Sequence, residues 1–131
     1  MKFFSTSKTL GILGGGQLGK MLLYTTLKWD IKTSVLDPSE NAPAKLASDS
    51  FEVGDLTDFQ AVYDFGKKVD VLTIEIEKVN VEALEKLEQE GVKVYPQPHV
   101  MKIIQNKCLQ KKFYKSNNIP TVSFEEFETL D

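Results

Sequence analysis

The sequence predicts an α/β fold: an open parallel sheet of about five strands with helices on both faces, plus a linking helix. Two observations carry this. Short apolar runs alternate five times with longer segments of helical period. The first run ends in three consecutive glycines, Gly14, Gly15 and Gly16, and passes straight into an amphipathic segment, a Rossmann-like arrangement.

The elements follow in order. Thr9 to Leu13 is apolar and ends at glycine, as a buried parallel strand does. Gln17 to Leu27 sets Leu18, Met21, Leu22 and Thr25 at helical spacing, which predicts a first helix with that stripe. Thr33 to Leu36 is a second strand, stopped by the turn cluster "DPSENAP". Phe51 to Val53 is a short third strand. A helix follows within "GDLTDFQAVYDFGKK", with Asp55 or Thr57 near its start. "VDVLTIEIE" is the fourth strand and the most apolar. "NVEALEKLEQEG" is a helix with Asn80 as N-cap and Gly91 past its end. Val92 to Pro96 is a fifth strand closed by proline. A basic amphipathic helix then runs from about Pro98 to Ser116, with Ile103, Ile104, Leu109 and Phe113 as its apolar positions. "NNIP" breaks it, and "TVSFEEF" begins another element, which as a sixth strand would leave an exposed edge.

Composition narrows the function classes. The 131 residues are 41% hydrophobic and 27% charged, with a net charge of -3. That balance is globular, and it lacks the basic excess of a nucleic-acid module. No apolar run reaches the ~20 residues of a membrane span, and no signal peptide is legible. Cys108 is the single cysteine, so no internal disulfide or cysteine zinc cluster can form. These features predict a cytoplasmic protein without nucleic-acid or membrane partners. His99, the single histidine, reads as a surface or capping residue, and Cys108 as a small packing residue.

Two places carry chemistry. Gly14, Gly15, Gly16, Gln17, Leu18 and Gly19 satisfy G-x-G-x-x-G between a strand and a helix. Glycine lets a ligand approach the backbone, and the helix start offers unpaired N–H groups to an anion such as phosphate. The plain alternative is a tight turn packed on a neighbouring strand. Asp37 ends the second strand, where a dinucleotide site holds ribose. An Asp before Pro is also an ordinary turn starter. The second place is "TIEIEKV". Glu75 and Glu77 are two apart, so an extended backbone would point them to one side. Such a pair could hold ribose hydroxyls, bind a metal, or act as acid and base.

"GILGGGQLGKML", "VLDPSENAPAKLASD", "TIEIEKV" and "IIQNKCLQKKFYKSNNIPT" together resemble the N-terminal region of the 5-(carboxyamino)imidazole ribonucleotide synthases. These are ATP-grasp ligases of purine biosynthesis, also described as the ATPase subunit of phosphoribosylaminoimidazole carboxylase. The resemblance spans about Lys8 to Thr121, in order. It implies a pre-ATP-grasp substrate domain over residues 1–97, and a linking helix with the start of a truncated ATP-grasp domain over 98–131. It implies that ATP, accompanied by Mg²⁺, activates bicarbonate as carboxyphosphate, whose carboxyl group passes to 5-aminoimidazole ribonucleotide. By that resemblance Gly14, Gly15, Gly16, Gln17 and Leu18 cradle the ribonucleotide, Glu75 takes its ribose hydroxyls with Glu77 beside it, and Lys107 contacts ATP. It assigns no catalytic base and no Mg²⁺ ligand to residues present here, and it implies a chain inactive alone. Members of the family commonly form homodimers. The competing reading is a stand-alone NAD-type or regulatory module.

Overall fold

The computed structural model describes residues 7–125. These residues form five strands and five helices, in the order β1 (Thr9–Leu13), α1 (Gln17–Lys28), β2 (Lys32–Asp37), β3 (Ser50–Val53), α2 (Phe59–Gly66), β4 (Val71–Ile74), α3 (Val81–Gln89), β5 (Lys93–Tyr95), α4 (Pro98–Gln105) and α5 (Lys107–Ser116), with no helix between β2 and β3. The sheet is parallel throughout, in the order β3-β2-β1-β4-β5. The α/β prediction therefore holds. β2 and β3 extend to one side of β1, β4 and β5 to the other. The strand order thus reverses between β1 and β4, which pair from Leu10↔Val71 to Leu13↔Ile74. Ligands of open α/β sheets bind at the carboxyl ends beside such a reversal.

Alternation along the strands divides the core. Leu13, Leu36, Leu72 and Val94 face α2, α3 and α4, which contribute Val62, Phe65, Leu84, Leu87 and Met101. Ile12 and Val35 face the other way, against Leu23 of α1 and Ala44. Side chains cap the helices where the sequence offers them. Asn80 accepts from Ala83 N–H at 2.9 Å at the start of α3, as expected. Gly91 follows that helix at φ +95°. α2 is capped by Asp58, which accepts from Ala61 N–H at 2.7 Å. Asp55 instead closes a turn onto Thr57 just upstream.

The structure settles which way the first helix faces, and it corrects several expectations for the end of the chain. The stripe of Leu18, Met21, Leu22 and Thr25 faces outward: Leu18 is 65% and Met21 60% exposed. Gly19, Leu23 and Thr26 face the sheet. The reason is close approach. A β-carbon at Gly19 would lie 2.6 Å from the Gly14 carbonyl oxygen, so α1 meets the sheet on its glycine side. The linking helix is two helices, broken at Asn106, whose side chain leaves α4 to cap α5 by accepting from Leu109 N–H at 3.1 Å. None of the residues of α5 is buried, and Leu109 and Phe113 are exposed. Cys108 is exposed there too, rather than packed. Of "TVSFEEF", residues 121–125 form no regular element, and the rest lies outside the described residues. His99 is exposed in the first turn of α4, as expected.

Candidate functional site

The glycine loop leaves the carboxyl end of β1 under tight control. Gly14 has φ +107°, a conformation that favours glycine, and its N–H donates to Leu36 O at 3.0 Å. Gly15 N–H donates to Asp37 Oδ2 at 2.7 Å, and its carbonyl accepts from Ala44 N–H at 2.9 Å. The other oxygen of Asp37 accepts from Ser39 N–H at 2.8 Å. Asp37 therefore serves the protein's own backbone. It ties the loop to the turn after β2, and its turn role is the one the geometry supports.

Beyond Gly15 the donors are open. Gly16 is the N-cap of α1 and supplies no side chain. The N–H groups of Gly16, Gln17, Leu18 and Gly19 have no acceptor among the described residues. By contrast α2, α3 and α5 carry side-chain caps, and α4 starts on Pro98, which has no N–H. Unpaired N–H groups and the positive end of the helix dipole together favour an anion. Of the five loop residues expected to cradle substrate, Gly14 and Gly15 thus shape the loop, while Gly16, Gln17 and Leu18 present donors.

Glu75 faces this loop from the residue just past β4. Its N–H donates to Leu13 O at 2.9 Å, continuing the β1–β4 pairing by one residue. Its carboxylate turns back over the glycines. A β-carbon at Gly14 would fall 2.6 Å from Glu75 Oε2, and one at Gly16 would fall 3.9 Å from it. The side chain is half-buried and makes no hydrogen bond among the described residues. An acidic acceptor without a protein partner thus stands beside open donors.

Glu77 does not join it. β4 ends at Ile74, and Glu75 to Glu77 form a bend, so the extended-strand argument for a same-side pair fails. Glu77 is exposed and pairs with Lys107 at 3.1 Å. Lys107 Nζ also donates to Ile104 O at 3.3 Å. The two carboxylates thus have separate surroundings. Among the described residues no group of three or more His, Cys, Asp or Glu side chains could hold a metal ion. Gln105, for which the sequence suggested no role, donates from Nε2 to Glu77 O at 2.7 Å and Val79 O at 2.9 Å. Its only sequence signal was its place in the "QNK" triplet. An open cleft of about 1050 Å³ lies elsewhere, between α5 and residues 118–124, away from these groups.

A family model described as "Ribonucleotide synthetase preATP-grasp domain" matches residues 7–105. The chain belongs to the ribonucleotide synthetase preATP-grasp family. Membership accounts for the whole sheet, since the matched residues run from the start of β1 to the end of α4. Among preATP-grasp relatives, the chain is 42% identical over 121 residues to a phosphoribosylaminoimidazole carboxylase, chloroplastic, of Vigna aconitifolia, covering 92% of this chain and 22% of that protein. The crystal structure of N5-carboxyaminoimidazole ribonucleotide synthetase from Thermotoga maritima superposes with a TM-score of 0.86 at 39% identity, over 94% of this chain and 34% of that one. The N5-carboxyaminoimidazole synthase of Aspergillus clavatus, in complex with ADP and 5-aminoimidazole ribonucleotide, gives a TM-score of 0.81 at 38% identity, over 91% and 32%. The chain therefore spans between about a fifth and a third of these relatives' length. No helix among the described residues is long and apolar enough to cross a membrane.

Proposed function

We propose that this chain is the ribonucleotide-binding domain of an ATP-dependent ligase that carboxylates 5-aminoimidazole ribonucleotide with bicarbonate, yielding the carbamate, ADP and phosphate. One observation carries the reading: the open N–H groups of Gly16, Gln17 and Leu18 stand beside the Glu75 carboxylate, which has no hydrogen-bond partner among the described residues, at the β1–β4 reversal. A ribonucleotide offers what each side lacks. Its phosphate accepts from the helix start, and its ribose hydroxyls donate to the carboxylate. Glu77, the second carboxylate of the resemblance, is held by Lys107 instead. Lys107 lies where the resemblance puts a contact to ATP, and leaving Glu77 for a phosphate would exchange one anionic partner for another.

In this reading residues 1–97 are the substrate domain, and 98–131 begin the connection to an ATP-grasp domain. Mg²⁺ travels with ATP, and the described residues include no group of three or more His, Cys, Asp or Glu side chains that could hold it. Bicarbonate is bound beyond this chain. The single cysteine and acidic balance fit the cytoplasm. The outward stripe of Leu18, Met21 and Leu22 is the face we assign to a homodimer contact, and Leu18→Glu is expected to abolish dimers in sedimentation.

The NAD-type alternative is not favoured, because Asp37 already accepts from Gly15 and Ser39. Calorimetric titration of the chain tests the assignment. Heat is expected with 5-aminoimidazole ribonucleotide and none with NAD. Saturable NAD binding without ribonucleotide binding would overturn it.

A further inference from the structure

The segment after β4 carries Glu75 and Glu77 yet is not part of the sheet. It needs something to hold its shape. Its backbone is tied at both ends: Glu75 N–H donates to Leu13 O at 2.9 Å, and Asn80 N–H to Leu56 O at 2.8 Å. Between these ties Val79 N–H donates to Glu77 O at 3.0 Å, and a single side chain engages both the Glu77 and Val79 carbonyls. Gln105 Nε2 donates to both, at 2.7 and 2.9 Å. Two carbonyl acceptors fix which end of the amide points inward, since only the NH₂ group can serve them.

Gln105 is the last residue of α4, and the next two residues complete a joint. Asn106 leaves helical geometry at φ -109° and ψ 102° and caps α5. Lys107 opens α5 and pairs with the Glu77 carboxylate at 3.1 Å. The α4–α5 corner therefore grips the 75–79 segment twice: by backbone through Gln105 and by charge through Lys107. The first grip is the more exacting. The Lys107 pair is exposed on both sides, and such pairs are weak. Two hydrogen bonds from one planar amide demand a single loop geometry.

We infer that Gln105 is a positioning residue for the candidate site: its amide locks the 75–79 segment, and thereby the aim of Glu75 over the glycine loop, to the corner between α4 and α5. This rests on the ribonucleotide reading for its consequence, though not for the clamp itself. It assigns the "QNK" triplet three separate tasks: clamp, cap and ion pair.

Gln105→Glu tests it, because a carboxylate of the same size turns two attractions into repulsions. Gln105→Lys is the rescue, since an ammonium group can still donate to both carbonyls. Peptide-resolved hydrogen exchange on the intact chain should show residues 75–80 exchanging on the order of tenfold faster in Gln105→Glu, with β1 and β2 unchanged. Gln105→Lys should restore the slow exchange. Ribonucleotide affinity in calorimetry should fall by a similar factor in Gln105→Glu and recover in Gln105→Lys. Unchanged exchange in Gln105→Glu overturns the clamp. Faster exchange with undiminished affinity overturns its role in aiming Glu75. A general drop in protection across β1 and β2 would mean Gln105 supports the fold rather than the segment, and that too refutes the inference. If the wild-type chain binds no ribonucleotide, the reading of the site fails, while the exchange arm still decides the clamp.

Discussion

Replacing Glu75 by Gln removes one charge and changes little else. The side chain is half-buried and has no hydrogen-bond partner among the described residues, so no internal contact is lost. Its backbone tie to Leu13 O does not depend on the side chain. The melting temperature should therefore stay within about a degree or two. Binding should not. A carboxylate accepting from ribose hydroxyls makes charge-assisted bonds, worth about 1.5–3 kcal/mol. Gln keeps one carbonyl acceptor but loses the charge, so a loss of roughly tenfold in affinity is the lower expectation. Calorimetric titration of 5-aminoimidazole ribonucleotide into both proteins measures it, with thermal melts as the control. Asp37→Asn is the counterpart. It weakens the tie between Gly15 and the turn after β2, so it should lower the melting temperature by a few degrees and affinity by less than Glu75→Gln does. If Glu75→Gln binds like the wild type while Asp37→Asn is the damaging change, the reasoning about this site is wrong.

Gly16→Val should separate binding from folding. Gly16 has ordinary backbone angles, and only Glu75 Oε2, at 3.9 Å, lies within 4 Å of an added β-carbon. Stability should change little, while ribonucleotide binding is lost to a branched side chain at the helix start; an equal loss of melting temperature and affinity would return the loop to a purely structural role. Gly14→Ala should do the opposite and damage the fold, since φ is +107° and Glu75 Oε2 lies 2.6 Å from the new carbon. The acid limb of stability should depend on Glu90, whose carboxylate is held at about 2, below its ordinary 4.5, by hydrogen bonds from Lys67, Tyr63 and Lys86. A depressed carboxylate stabilises fully above its unfolded value, so this contribution should be present above about pH 4.5 and fade as pH falls towards 2. Urea unfolding of Glu90→Gln across that window should show a flatter pH dependence than the wild type, and identical slopes would count against the link between α2 and α3.

Much of the fold was legible because its signals are local. Apolar runs, Asn80 and Gly91 each act within a few residues of themselves, and each stands where the sequence put it. What the sequence left open was a choice between two overlapping faces. On α1 the larger apolar stripe points to solvent, since approach to the sheet is limited by the Gly14 carbonyl and only Gly19 permits it. Periodicity reports that a helix has an apolar side, not which side the rest of the molecule reaches first. The glycine loop and Glu75 could be singled out as candidates from type and order alone. Their division of labour was not. That Gly15 spends its N–H on Asp37, and that a bend parts Glu75 from Glu77, depends on contacts between residues far apart in sequence. Gln105 was missed for the same reason: its two acceptors lie 26 and 28 residues upstream.

The reversal between β1 and β4 has a kinetic side. The glycine loop and Glu75 directly follow two strands whose approach, marked by the hydrogen bond from Thr9 N–H to Asp70, closes a span of 61 residues. β1 meets β2 after a far shorter loop, and β2 meets β3 likewise. Loop-closure entropy and contact order therefore favour an early β1–β2–β3 unit, with β4 docking later. Such a unit would already own the helix start and its open donors, but not the carboxylate. Competence to hold the whole ligand would arise only at the last strand pairing, so a nucleotide present during folding would select chains that have completed it and hold shut the seam that opens first.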